Sequence, residues 1–184
     1  MGLYTNEQLE KYKEYLRHLA ETRSSTIFTN GGIEHASILM SILLDNTKSV
    51  ARIFCEGFKP TLVLTDPYKA SLEKYLEDVN KSIYVLIERD DWVNADAFKL
   101  LKDAASKRSD KVVFKKIREQ DQSRMFEQLN DQHCNFAIFD NDKFRFEYNP
   151  KEYKAFGSFN DISKSALLIN IFDTAFNNAE TIQS

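Results

Sequence analysis

Glycine and proline are scarce here, five and three in 184 residues, and that scarcity excludes a low-complexity linker and indicates one compact α/β core. Cysteine is scarcer still. Cys55 and Cys134 both sit inside apolar stretches with no metal-ligand spacing between them, so they read as small buried hydrophobes. Charge of one sign is also lacking: a net −3 gives no global attraction to nucleic acid or to an anionic membrane. No segment has the apolar run of a signal peptide or a membrane span, so the sequence reads as that of a cytoplasmic protein. No internal repeat occurs, and any site motif is present once per chain.

What is present is ample apolar material, 42% hydrophobic with 14 phenylalanines, enough for the core of a single domain. Residues 5–23 read as an N-terminal helix. Thr5 and Gln8 form a capping box, and Leu9, Tyr12, Leu16 and Leu19 share one face. That helix either packs on the domain or serves as a dimerisation arm. Residues 26–29 form a short strand that stops at the Asn30-Gly31-Gly32 turn, and a helix follows over 33–44. His35, in its first turn, reads as a helix-end or surface residue. The Gly-Gly turn leaves backbone N–H groups at a helix start, which would suit a phosphate if they faced a pocket.

Strand and helix then alternate. Residues 49–55 read as a strand, 61–65 as an apolar stretch, and Asp66-Pro67 as the N-cap and first position of a helix burying Leu72, Tyr75, Leu76 and Val79. The nearly wholly apolar stretch 82–87 reads as a strand covered on both faces. Helix 94–106, strand 111–117 and helix 122–129 follow, and strand 143–148 turns back at Asn141-Asp142. Asp161 or Ser163 caps a last helix to Ala179 that is apolar at Ala166, Ile169, Phe172, Ala175 and Phe176. These alternations predict helices covering a mostly parallel sheet.

The chemistry-bearing stretch runs from His133 to Asn160. Strand side chains i and i+2 share a face, so His133 and Asn135 project together and away from Cys134 and Phe136. The order His133, Asn135, Asp140, Gly157, Ser158, Asn160 resembles the phospholipase D superfamily pattern His-x-Lys-x-x-x-x-Asp followed by Gly-Ser-x-Asn. Asn135 stands at the Lys position, and the 16 residues 141–156 make a longer gap than the family's, enough for an extra strand and turn.

The resemblance implies a single phospholipase D-like α/β domain over residues 24–184, with a mostly parallel mixed sheet flanked by helices, preceded by the N-terminal helix of residues 1–23. It implies a phosphodiesterase, most simply nuclease-like, in which His133 is the nucleophile or acid through a phosphohistidine. Asn160 and Ser158 would bind phosphoryl oxygens, Asp140 would support, and Gly157, at a strand-to-helix junction, would help to bind phosphate. No metal or cofactor enters that scheme. With one motif per chain, it implies a two-fold homodimer with His133 at the seam.

Asn135 can donate a hydrogen bond but supplies no charge, and losing one such electrostatic group costs about 10²–10³ in rate. Lys143 or Arg145 could replace the cation, Arg in bidentate fashion. The alternative is an inactive module that keeps the fold and binds a nucleotide, nucleic acid or protein partner, alone or within a larger complex. Residues 107–118 carry six cations, including Lys111, Lys115, Lys116 and Arg118. They read either as a nucleic-acid footprint or as a lysine-blunted edge strand. Glu88, Asp90 and Asp91 read as a solvated turn or a divalent-cation cluster, and Trp92 as a surface anchor or a base-stacking platform.

Overall fold

The computed structural model describes residues 4–182; the outermost residues of the expected 1–23 and 24–184 segments lie outside that range. Helix α1 (Asn6–Glu21) starts on the capping box, with Thr5 and Gln8 exchanging side-chain-to-backbone hydrogen bonds. Its buried residues Leu16, Leu19 and Ala20 join the main core, so the helix packs on the domain. Strand β1 (Phe28–Asn30) and helix α2 (Ile33–Asp45) follow. Between them Gly32 takes φ 81, a left-handed conformation that glycine adopts without cost.

Three parallel strands come next. They are β2 (Val50–Cys55), β3 (Ser82–Ile87) and β4 (Val112–Lys116), with β2 and β3 linked by helices α3 (Pro60–Val63) and α4 (Tyr68–Glu77) and β3 and β4 by α5 (Asp96–Ala105). Helix α6 (Glu119–Gln128) crosses to the opposite face and leads to an antiparallel meander of β5 (Asn135–Phe139), β6 (Lys143–Asn149) and β7 (Lys154–Ser158). Helix α7 (Ile162–Asn178), capped by Asp161 on the Lys164 N–H, and the two-residue β8 (Glu180–Thr181) complete the order. The sheet runs β1-β7-β6-β5-β2-β3-β4-β8.

Side-chain alternation splits the core in two. Ala51, Ile53, Ile83, Val85, Ala137 and Phe139 meet α1 to α5 on one face. Phe54, Leu86, Phe136, Ile138, Phe144 and Phe146 meet α6 and α7 on the other.

The α/β class and the flanking helices are as expected, but the balance of the sheet is not: only the β2·β3 and β3·β4 pairings are parallel, against five antiparallel ones. The alternating pattern held for residues 50–116, whereas the two tight connections of the meander leave no room for crossover helices. Three local expectations also change. Pro67, after a cis peptide, occupies the α4 cap, and the Tyr68 N–H that follows donates to Ser37 Oγ, so Asp66 is not the cap. Val79 lies beyond the helix and is 69% exposed. The buried stripe of α7 is Ser165, Leu168, Ile171, Phe172 and Ala175, which leaves Ala166 in solvent. No helix among the described residues is long and apolar enough to cross a membrane.

Candidate functional site

In the 5-2-3-4 part of the sheet, the connections from β2 through β4 run over one face and the return to β5 over the other. The carboxyl end of β2 and the amino end of β5 therefore form a crevice at the point where the winding reverses, the place where open α/β sheets bind ligands. Asn135 opens β5 at this crevice. Its Oδ1 accepts from the Glu56 N–H at 2.9 Å and its Nδ2 donates to Glu147 Oε2 at 2.5 Å.

Asn135 pairs with Glu147 across the ladder, and Arg145 lies two residues before Glu147 on the same face. Arg145 Nη2 donates to Glu147 Oε1 at 2.5 Å and its Nε to Asn30 Oδ1 at 3.3 Å, while Asn30 Nδ2 donates to the Tyr153 carbonyl at 2.5 Å. Arg145, Glu147 and Asn30 are all buried. The cation that sequence reasoning sought beside Asn135 is therefore Arg145, but it arrives with its charge already cancelled.

His133 stands just outside the strand, half exposed, with Nε2 3.0 Å from Glu88 Oε2. Glu88 is nearly enclosed, its side chain 5% exposed, and its Oε2 also accepts from Gln122 Nε2 at 2.9 Å. Burial pushes the Glu88 carboxyl above its ordinary value, and the hydrogen bond and charge of His133 oppose that. A buried carboxylate against an imidazole can fix its orientation and tautomer. The edge of the Phe126 ring packs on the same imidazole.

The remaining motif residues lie elsewhere. Ser158 faces Phe144, which faces Ile138, so Ser158 and Asn160 sit at the Asp140 end of β5. That end is roughly 20 Å from His133 at about 3.3 Å per strand residue. Ser158 is fully buried, and its Oγ accepts from the Asn160 N–H at 3.1 Å. Asp140, at φ 54, accepts from the N–H groups of Lys48, Ser49 and Val50 and from Lys143 Nζ. Lys143 also binds Asp142 at 2.6 Å. Asp140 and Lys143 thus tie the β5–β6 turn to the start of β2, and Lys143 does not reach the position of the missing Lys.

Gly157 is a strand residue. A Cβ there would overlap the Phe144 carbonyl oxygen and come within 2.6 Å of the Phe28 ring. We expect Gly157→Ala to cost about 3 kcal/mol or more by overpacking, read as a lower urea midpoint at unchanged slope. A tolerated alanine would contradict this structural role.

The basic segment is largely committed. Lys116 pairs with Asp90 at 3.1 Å and Arg118 approaches Glu180 at 3.8 Å. Lys115 donates to the Phe176 carbonyl at the end of α7. The edge of β4 is covered at Lys115 and Lys116 by β8; Lys111 lies outside that pairing. Asp91 pairs with Arg89, so Glu88, Asp90 and Asp91 diverge to separate partners, and among the described residues no group of three or more such side chains is placed to hold a metal. Trp92 packs against Gly57, with Lys59 and Arg89 over its ring at 5.2 and 5.9 Å. It is an anchor for the two loops it joins. Gly31 and Gly32 line a separate hollow with Lys151 and Lys154, and the Gly32 N–H is taken by the Glu152 carbonyl. His35 is stacked between Tyr4 and Tyr12 at 3.8 and 3.9 Å. Cys134 is buried, and burial pushes its thiol up to about 12.

Sequence reasoning missed Glu147, Tyr68 and Tyr153, and it read Glu88 as part of a turn or cation cluster where the structure puts it against His133. The signal for Glu147 was available: Arg145 and Glu147 alternate with Phe144 and Phe146, a second polar pair inside an apolar strand.

No protein-family profile and none of the curated proteins match this chain. Solved structures do. TrmBL2, an archaeal chromatin protein with a novel mode of DNA binding, superposes with a TM-score of 0.61 at 14% identity, over 96% of this chain and 64% of that one. This chain thus spans under two thirds of that protein's chain. Nuc from Salmonella typhimurium, a phospholipase D family member, superposes with a TM-score of 0.58 at 12% identity, over 86% of this chain and 99% of that one. With the mixed sheet, the flanking helices and the crevice at Asn135, these likenesses give the chain a phospholipase D-like α/β fold.

Proposed function

We propose that this chain is a phospholipase D-like binding module that retains the crevice of the fold and does not cleave phosphodiesters. The observation that carries this reading is the Glu147 carboxylate held against Asn135, where the resembled motif places its cation. A phosphodiester in this crevice would meet a charge-cancelled carboxylate where the motif has a cation, and so would lack that cation's attraction. Arg145 neutralises Glu147 and Lys59 neutralises Glu56, so the crevice offers a phosphodiester no net positive charge. The Ser158 and Asn160 donors are at the far end of β5. Transition-state charge therefore lacks the preorganised positive groups that phosphoryl transfer depends on. A non-cleaving module also has no need of a second motif from another copy.

One observation favours the second reading, a His133-dependent phosphodiesterase acting as a homodimer. The half-exposed imidazole held by the buried Glu88 is poised as a nucleophile or base. Metal-free hydrolysis of bis(p-nitrophenyl) phosphate separates the two. Wild type and Asn135→Lys are both expected to be silent, since the introduced ammonium pairs with Glu147. Turnover by Asn135→Lys would mean that the site lacks only its cation and would overturn this account of Glu147.

A further inference from the structure

On the α2 side of the crevice lies a small cavity of about 60 Å³. Its polar lining includes Lys59, Tyr68, Asn135, Arg145, Glu147 and Tyr153, with Met40 and Val63 among the apolar residues. Tyr68 is 2% exposed, its backbone N–H donates to Ser37 Oγ at 3.2 Å, and its side chain lines the cavity. A hydroxyl that borders accessible space is a position that water or a ligand group can bond. Burial raises the Tyr68 phenol, opposed by the Arg145 charge, so it remains a neutral donor and acceptor. Arg145 and Glu147 cancel within the cavity, and Lys59 and Glu56 cancel at its mouth. The lining therefore offers donors and acceptors in balance and no net charge.

We propose that this cavity binds a small uncharged group presenting a donor and an acceptor side by side, for which a primary carboxamide is the simplest form, and that it rejects the isosteric carboxylate. The inference rests on the non-cleaving reading and names the chemistry of that same crevice. An N–H of the ligand meets the Glu147 carboxylate, and its oxygen takes hydrogen bonds from Tyr68 and Arg145. A carboxylate has no donor for Glu147 and brings a second negative charge. Size sets a further limit. A cavity that holds benzene measures about 150 Å³, so this one encloses an amide-sized group and leaves any larger remainder at the mouth.

The test titrates the ¹⁵N-labelled chain with acetamide, acetate and dimethyl phosphate, following the Asn135 side-chain amide and the Gly57 N–H. Acetamide is expected to give saturable shifts, with acetate and dimethyl phosphate at least about tenfold weaker. Tyr68→Phe, which removes only the hydroxyl, is expected to fold normally and to weaken acetamide about tenfold. Glu147→Gln frees the Arg145 charge and is expected to reverse the order, with acetate ahead. Equal or tighter binding of acetate in the wild type, or no saturable shift with acetamide, would overturn the proposal. Dimethyl phosphate bound tightly but left intact would overturn the selectivity while the non-cleaving reading stands, whereas its hydrolysis would remove the reading beneath it.

Discussion

Arg145→Met is expected to destabilise the fold by about 3–5 kcal/mol, the cost of stranding a buried charge by removing its partner. Glu147 is 3% exposed and would keep only the Asn135 amide. Isosteric apolar replacement of a whole buried pair is often neutral. The double variant Arg145→Met/Glu147→Leu is therefore expected to recover most of the loss, even though it abolishes the polar character of the crevice. Urea unfolding of the single and double variants closes this cycle. A single-variant loss under about 1 kcal/mol would mean that Glu147 is solvated or protonated, and that the crevice is not charge-cancelled as described.

The second large effect falls at the other end of β5. Asp140→Ala removes the acceptor for the Lys48, Ser49 and Val50 N–H groups, 2.9, 2.9 and 3.2 Å away, and leaves Lys143 with Asp142 alone. It also puts alanine at φ 54. Together these are expected to cost roughly 3 kcal/mol. Asp140→Asn, which tolerates that backbone conformation and keeps one oxygen, is expected to cost less.

Burial alone would raise the Asp140 carboxyl, but the Lys48 and Ser49 N–H groups and the Lys143 ammonium outweigh it and hold it down at about 2. A folded-state value below the unfolded one of about 3.9 makes the contribution complete above the unfolded value and lost as pH falls toward 2. Allowing for its partial exposure, it amounts to about 1–2 kcal/mol. Wild type should lose that much stability on acidification from about pH 5 to about pH 2 beyond what Asp140→Asn loses. Parallel acid profiles for the two proteins would contradict the anchoring role.

The two ends of β5 also explain how far the sequence could be read. Alternation over residues 133–139 put His133 and Asn135 on one side of the strand, but β5 begins only at Asn135, which faces the crevice, while His133 before it turns to Glu88 and to Phe126 of α6. The elements from residue 50 to residue 116 followed from their periodicity. The Gly157-Ser158-Phe159-Asn160 match followed the family pattern in letters but not in place. The 16 intervening residues supply β6 as the hairpin partner of β5 and push the Gly-Ser pair out to β7. The site face next to Asn135 therefore belongs to Arg145 and Glu147, whose alternation in β6 was visible while its partner was not.

Contacts over long sequence separations were beyond reach. Glu88 meets His133 across 45 residues, and Tyr68 enters the cavity from helix α4. The basic run at residues 107–118 looked open because its partners, Asp90, Glu180 and the end of α7, are distant in sequence.

Whether the crevice cleaves or only binds is tested most directly by incubating the wild-type chain with labelled single- and double-stranded DNA and RNA without metal, beside His133→Ala. A charge-cancelled, non-cleaving crevice predicts intact substrate in both. Cleavage by the wild type that disappears in His133→Ala would contradict it and restore His133 as the nucleophile of a working phosphodiesterase.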